Sequence, residues 1–257
     1  MGQAAVVAVV GGVAVSRNDA WALAASYIFA VALLAAAQAA RSVGRVPQDV
    51  TRKLVHMGAG AWCWAVVALF DSWQVGIVPF ASFIAVNAVL YATRWVSAID
   101  SPDRSPGTVY FAVVITGLFA LLWRPGSSAN RVHLALAGIA AMTFGDAMAA
   151  LVGVRLGRHR YRLIPGVSST RSLQGSAAMF AVSFAAVAAS LHLCHTAPPG
   201  SPFYAASFSA VPLPPPSLAL YAAIAAGFAT LVEAASPHGT DNVTIPIVVA
   251  ALLGAIM

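Results

Sequence analysis

Beyond Asp103 the chain carries only three acids, Asp146, Glu233 and Asp241, and each lies within or at the edge of a long apolar run. An ionised carboxylate in hydrocarbon costs about 2.5 kcal/mol or more, so a chain with eight acids in 257 residues should not keep one there without a use. Three segments hold the chemistry around them. The first, TRKLVHM at 51–57, sets Arg52, Lys53 and His56 at the start of a span, with His56 one helical turn from the other two. Lys53 is the only lysine in the chain. These residues read either as a membrane-edge anchor and a packed histidine, or as groups that meet phosphate and a reacting hydroxyl.

The second segment, from Phe144 to Ser176, contains Asp146, the glycines Gly145, Gly153 and Gly157, and then Arg155, Arg158, Arg160, Arg162 and Arg171 with no further acid. Glycine permits close approach of backbone to an anionic ligand, and guanidinium forks grip phosphate oxygens in pairs. An acid beside them is placed to hold the magnesium that bridges a polyphosphate. A topology loop explains the arginines equally well but leaves Asp146 unexplained. The third segment, EAASPHGTDNVTIP from Glu233 to Pro246, offers Asp241 and Asn242 as oxygen donors to a hard cation, or Asp241 as a simple helix cap. Pro237 and Gly239 interrupt the helix, so the loop is able to fold Glu233 and Asp241 together.

The elements that carry these groups are transmembrane helices. Hydrophobic residues make up 60% of the chain and charged residues 9%, a balance that excludes an ordinary soluble domain. Apolar runs predict spans near 20–40, 54–70, 73–92, 107–123, 131–154, 173–191 and 217–235, with shorter runs at 1–15 and 243–257. The expected fold is an all-α, polytopic integral membrane bundle of about 7–9 transmembrane helices forming a single domain over 1–257. The run at 1–15 lacks a basic start and a small-residue cleavage site, and reads as a retained helix rather than a signal peptide.

The net charge of +6 falls in short loops between spans, where topology rules place it, and so argues for anionic lipid or a phosphorylated ligand and against nucleic acid. Setting the loop with Arg41, Arg45, Arg52 and Lys53 in the cytoplasm brings Arg94, Arg104, the arginines of 155–171 and Glu233 to the same side. The Pro-rich stretch at 196–217 then lies outside. Asp100 and Asp103 flank a proline and read as a turn. Cys63 and Cys194 supply neither a disulfide framework nor a zinc quartet, and the His192–His195 stretch lacks a second ligand pair. No nucleophile elbow or ATP-cradling loop is present.

Taken in order among apolar spans, TRKLVHM, GDAMAALVG with GRHRYR and TRSLQGS, and DNVTIP resemble the phytol, farnesol and dolichol kinase family of CTP-dependent polyprenol kinases. The likeness runs from about 45 to 257, leaving 1–40 as N-terminal apolar helix. It implies transfer of the γ-phosphate of CTP to the terminal hydroxyl of a membrane-dissolved isoprenoid alcohol. By that likeness Asp146, Lys53, His56 and Asp241 are the catalytic candidates, with Asp146 the base toward the alcohol. Arg52, Gly145, Gly153, Gly157, Arg158, Arg171, Ser172, Gly175 and Asn242 would bind nucleotide, and Asp146, Asp241 and Glu233 would hold Mg2+. Two departures stand out: Arg171 occupies a position where the family usually has lysine, and GDAMA replaces GDGLA.

The nearest rivals are a phosphatidate cytidylyltransferase, whose closing signature is reduced here to PHGTDN, and a CTP-dependent diacylglycerol kinase. From another class comes a membrane transporter that uses buried acids for ion coupling. A bacterial inner membrane is the expected location, with a plastid envelope second.

Overall fold

The computed structural model describes residues 6–99, 105–164, 170–211, 213–237 and 239–257; Asp100, Asp103, Arg104 and part of the 155–175 loop lie outside them. The chain opens on a β-hairpin, β1 (Val6–Val10) with β2 (Val13–Ser16). This overturns the helix expected over 1–15 for the described residues 6–15. The reason is local. Gly11 and Gly12 both take positive φ, 56° and 80°, which a two-residue hairpin turn requires, and the valines on either side favour extended backbone.

Ser16 then caps α1 (Arg17–Ser42) through a reciprocal capping box with Asp19. Asp19 is fully buried, and its other oxygen accepts from the backbone N–H groups of Asp71 (2.9 Å) and Ser72 (3.2 Å), tying the start of α1 to the loop after the next helix.

The helices that follow are α2 (Gln48–Leu69), the short α3 (Trp73–Gly76), α4 (Val78–Thr93) and α5 (Gly107–Leu122). Next comes a continuous rod built of α6 (Val132–Ala140), a π-helical turn (Ala141–Asp146) and α7 (Ala147–Leu156). Two-residue strands β3 (Arg160–Tyr161) and β4 (Arg171–Ser172) pair antiparallel and lead into α8 (Leu173–Thr196). The short α9 (Ala206–Ser209), α10 (Pro215–Ala235) and α11 (Asp241–Ile256) complete the chain. Among the described residues five helical stretches are long and apolar enough to cross a membrane, and α5 and α11 are shorter apolar helices. The fold is an all-α polytopic membrane bundle.

The rod is its centre. Buried residues fill 72% of the most apolar window of Val132–Leu156 but 17% of that of α1, so the rod is wrapped by protein while α1 faces lipid. Every residue of α6 is buried, and α5, α8 and α11 pack around it. Small residues allow the close approach. A side chain at Gly138 would meet the Pro246 carbonyl of α11, and one at Gly145 would run into Ser183 of α8.

Candidate functional site

The π-helical turn ends on Asp146, whose side chain leaves the rod toward α2. Such turns disturb the ordinary hydrogen-bond ladder and recur at functional positions. Across the gap Lys53 Nζ donates to Asp146 Oδ2 at 2.6 Å, and His56 Nε2 stands 3.9 Å from the same oxygen. The spacing of three residues puts Lys53 and His56 on one face of α2, so a single acid meets both. His56 also lies 3.2 Å from the Met142 carbonyl and packs on the Phe111 ring, which fixes its plane.

The second ion cluster centres on Arg171 in β4. Its Nε lies 2.9 Å from Glu233 Oε1 and its Nη2 3.6 Å from Asp241 Oδ2, and Nη2 also donates to the carbonyls of Glu233 (3.0 Å) and Ser236 (3.3 Å). The Nε–Glu233 pair is at contact distance without hydrogen-bond alignment. The loop broken by Pro237 and Gly239 does fold Glu233 and Asp241 together, through a shared guanidinium. Lysine, with one compact charge, cannot reproduce a fork that reaches two carboxylates and two carbonyls, which gives the departure at Arg171 a structural reason. Asp241 begins α11 without capping it by side chain; Oδ1 accepts the N–H of Asn242 at 3.0 Å.

Both clusters border one cavity of about 260 Å³. Arg52, Lys53, His56, Asp146, Arg171, Asp241 and Asn242 form its polar end. Asn242 donates to the Gly107 carbonyl at 3.0 Å, while its own Oδ1 is buried without a partner, an acceptor poised for a donor from outside the chain. The remaining walls come from α1, α2, α4 and α5 and are mostly apolar.

Comparison with curated proteins gives one relevant match, phytol kinase of Synechocystis sp., 35% identical over 171 residues that cover 63% of this chain and 66% of the relative. Over that stretch the chain is similar to phytol kinase, which supports a phytol or polyprenol kinase family. The alignment spans slightly less than two thirds of that relative's length. No family model matches the chain, and no solved structure matches it.

The other site candidates lie outside the cavity lining. Glu233 stands behind the lining, in contact with Arg171. Ser172 caps α8, accepting from the Gly175 N–H at 3.1 Å. Gly153, Gly157 and Gly175 lie where α7 meets the start of α8: an added Cβ at Gly175 would stand 2.9 Å from the Ala149 carbonyl. Close helix packing accounts for these glycines and for Gly145. Arg158 lies in the exposed hairpin, which Gln174 fastens to α8 by accepting from the N–H groups of Arg158 (3.1 Å) and His159 (3.4 Å).

Sequence reasoning missed the α1 and α4 walls and the Gln174 staple. The walls are ordinary apolar helix in sequence; only their facing each other gives them a role.

Proposed function

We propose that this chain is an isoprenoid alcohol kinase that transfers the γ-phosphoryl group of CTP to the terminal hydroxyl of an alcohol dissolved in the membrane. The observation that carries the reading is the single cavity with a cationic and acidic end and an apolar remainder, which fits a substrate with a reactive head and a hydrocarbon tail. The phytol kinase relative supports the same class of acceptor.

Phosphoryl transfer asks a protein mainly for positioning and charge neutralisation. Arg52, Lys53 and Arg171 offset the charge of the phosphates. The alcohol oxygen attacks the γ-phosphorus, the bond to the β-bridging oxygen breaks, and the hydroxyl proton passes to Asp146. Lys53 holds that carboxylate in place, and His56 keeps its orientation through the Met142 carbonyl and Phe111. Asn242 Oδ1 is free to accept from the nucleotide.

Magnesium suits the donor set, since it takes one or two protein carboxylates and completes its shell with phosphate oxygens and water. Among the described residues no three acids, histidines or cysteines gather into a cage, so Asp146 and Asp241 would be its protein ligands, with Glu233 holding Arg171 behind them. The ion would offset charge on the transferring group. The site end of the bundle faces the cytoplasm, where CTP is found, in a bacterial inner membrane.

The test is purified protein in detergent with γ-labelled CTP or ATP, magnesium, and phytol, farnesol, geranylgeraniol, dolichol, diacylglycerol or phosphatidate. Labelled prenyl monophosphate is expected, with CTP preferred. A CDP-lipid would establish a cytidylyltransferase instead, labelled phosphatidate a diacylglycerol kinase, and no product at all would leave the transporter.

A further inference from the structure

The α1–α2 pair and the α4–α5 pair each pack closely, whereas α1 and α4 meet sparsely. At one end Tyr27 Oη lies 2.9 Å from Ser82 Oγ, and its ring packs edge-on against Phe83 at 5.7 Å. At the other, in the turn after α4, Gln38 Nε2 donates to Ser97 Oγ at 3.4 Å and Arg41 Nε to the same oxygen at 3.2 Å. Between these ties the cavity extends away from Lys53 and Asp146 as a slot. Its walls run from Leu34 back to Ser26 on α1, about 12 Å at helical rise, and from Leu90 back to Phe80 on α4, about 15 Å.

Two polar residues of the slot walls, Ser26 and Asn87, hydrogen-bond within the protein. Ser26 Oγ donates to the Ala22 carbonyl at 2.8 Å and accepts from Trp62 Nε1 at 3.1 Å, and the Asn87 amide donates to the Thr108 carbonyl at 3.0 Å. The far end is shut by aromatic rings: Phe29 stacks on Trp62 at 4.1 Å, and Phe80 packs on Phe119 at 5.6 Å. The near end opens sideways. Val86 and Tyr91 line the slot and are still 41% and 40% exposed, so the gap between α1 and α4 gives onto the lipid.

We propose that this slot holds the hydrocarbon chain of the acceptor alcohol, admitted from the bilayer between α1 and α4, and that the aromatic end wall at Phe29, Trp62 and Phe80 sets the chain length accepted. The occupant follows from continuity: the slot and the ion-paired end are one cavity, so a chain lying in it brings its terminal hydroxyl to Asp146. The proposal rests on the kinase reading for the hydroxyl, and on the slot itself for the chain. Ala30 is the small residue midway along α1 through which the chain would pass.

Two measurements test it. In the first, kcat/KM is compared for geraniol, farnesol and geranylgeraniol. Ala30→Phe, which fills the middle of the slot, should lower the ratio for geranylgeraniol over geraniol about tenfold or more, while Val31→Phe on the lipid side leaves the ratio as in the wild type. KM for the nucleotide should move little in either. A ratio unmoved by Ala30→Phe overturns the proposal. In the second, a diazirine-bearing farnesol analogue is photolysed with the wild-type protein and the crosslinks are mapped. Labels at Ala30, Leu33 and Phe83 support the slot, and labels confined to lipid-facing Ile28 and Val31 overturn it. If no alcohol is phosphorylated, the kinase reading fails, and the crosslinks still decide whether the slot binds the chain.

Discussion

The Lys53–Asp146 pair makes a quantitative prediction through a double-mutant cycle. Its 2.6 Å contact joins side chains only 12% and 5% exposed, so each charge depends on the other. Asp146→Asn keeps the shape and leaves the Lys53 ammonium short of its counter-ion; Lys53→Met leaves the carboxylate so. Breaking a buried pair from one side costs about 3–5 kcal/mol, because an uncompensated charge remains. Lys53 borders the cavity and is able to withdraw toward water, so Asp146→Asn should sit at the lower end, about 3 kcal/mol, and Lys53→Met nearer the upper end. Removing both partners removes the stranded charge, and the double variant should be more stable than Lys53→Met alone. The coupling should therefore exceed the cost of Asp146→Asn alone, about 3 kcal/mol. At about 2–4 °C per kcal/mol for a chain near this size, that is a shift easily read in thermal unfolding in detergent. All three variants should insert and fold yet lose phosphoryl transfer. Additive effects within about 0.5 kcal/mol would refute the reasoning, since the pair would then not be an energetic unit; wild-type turnover in Asp146→Asn would remove that carboxylate from the mechanism.

Arg171→Lys should cost about 1.5–3 kcal/mol, the worth of hydrogen bonds to a charged group, because one ammonium cannot serve both carboxylates and both carbonyls; thermal unfolding beside turnover checks it, and an unchanged midpoint would show that the fork is not needed. Gly145→Ala should lower stability by about 1–3 kcal/mol through overpacking against α8, with partial rescue by Ser183→Ala. A loss of CTP affinity with no change in unfolding would instead return Gly145 to the nucleotide site. Asp19→Ala should destabilise the chain by more than an ordinary cap loss of about 1 kcal/mol, since the same carboxylate also holds the Asp71 and Ser72 amides. Hydrogen exchange should rise at the start of α1 and in the 70–72 loop together, and a rise at α1 alone would show that the two are independent.

Much of the bundle was legible because hydrocarbon leaves few choices: a long apolar run has to satisfy its own backbone, and helix is the solution. The spans expected near 107–123, 173–191 and 217–235 appear as α5, α8 and α10 with boundaries shifted by a few residues. The N-terminal run failed the same reasoning because composition was weighed ahead of turn chemistry; two glycines between valine-rich strands specify a hairpin. In the site, residue type marked the chemistry. Asp146, Lys53 and Arg171 stand out against an almost uncharged background.

Sequence by itself determined that this is a helical membrane protein and that its few acids and its single lysine are not placed at random, because charge in hydrocarbon is costly enough to be informative wherever it occurs. Only the tertiary structure decided the partners: Asp146 with Lys53 across 93 positions, Arg171 between Glu233 and Asp241, the glycines against α8. It alone also revealed the slot. The residues of α1 and α4 are alike in type on the faces turned to lipid and to the cavity, and an apolar side chain carries no mark of which surface it meets until the helices are packed.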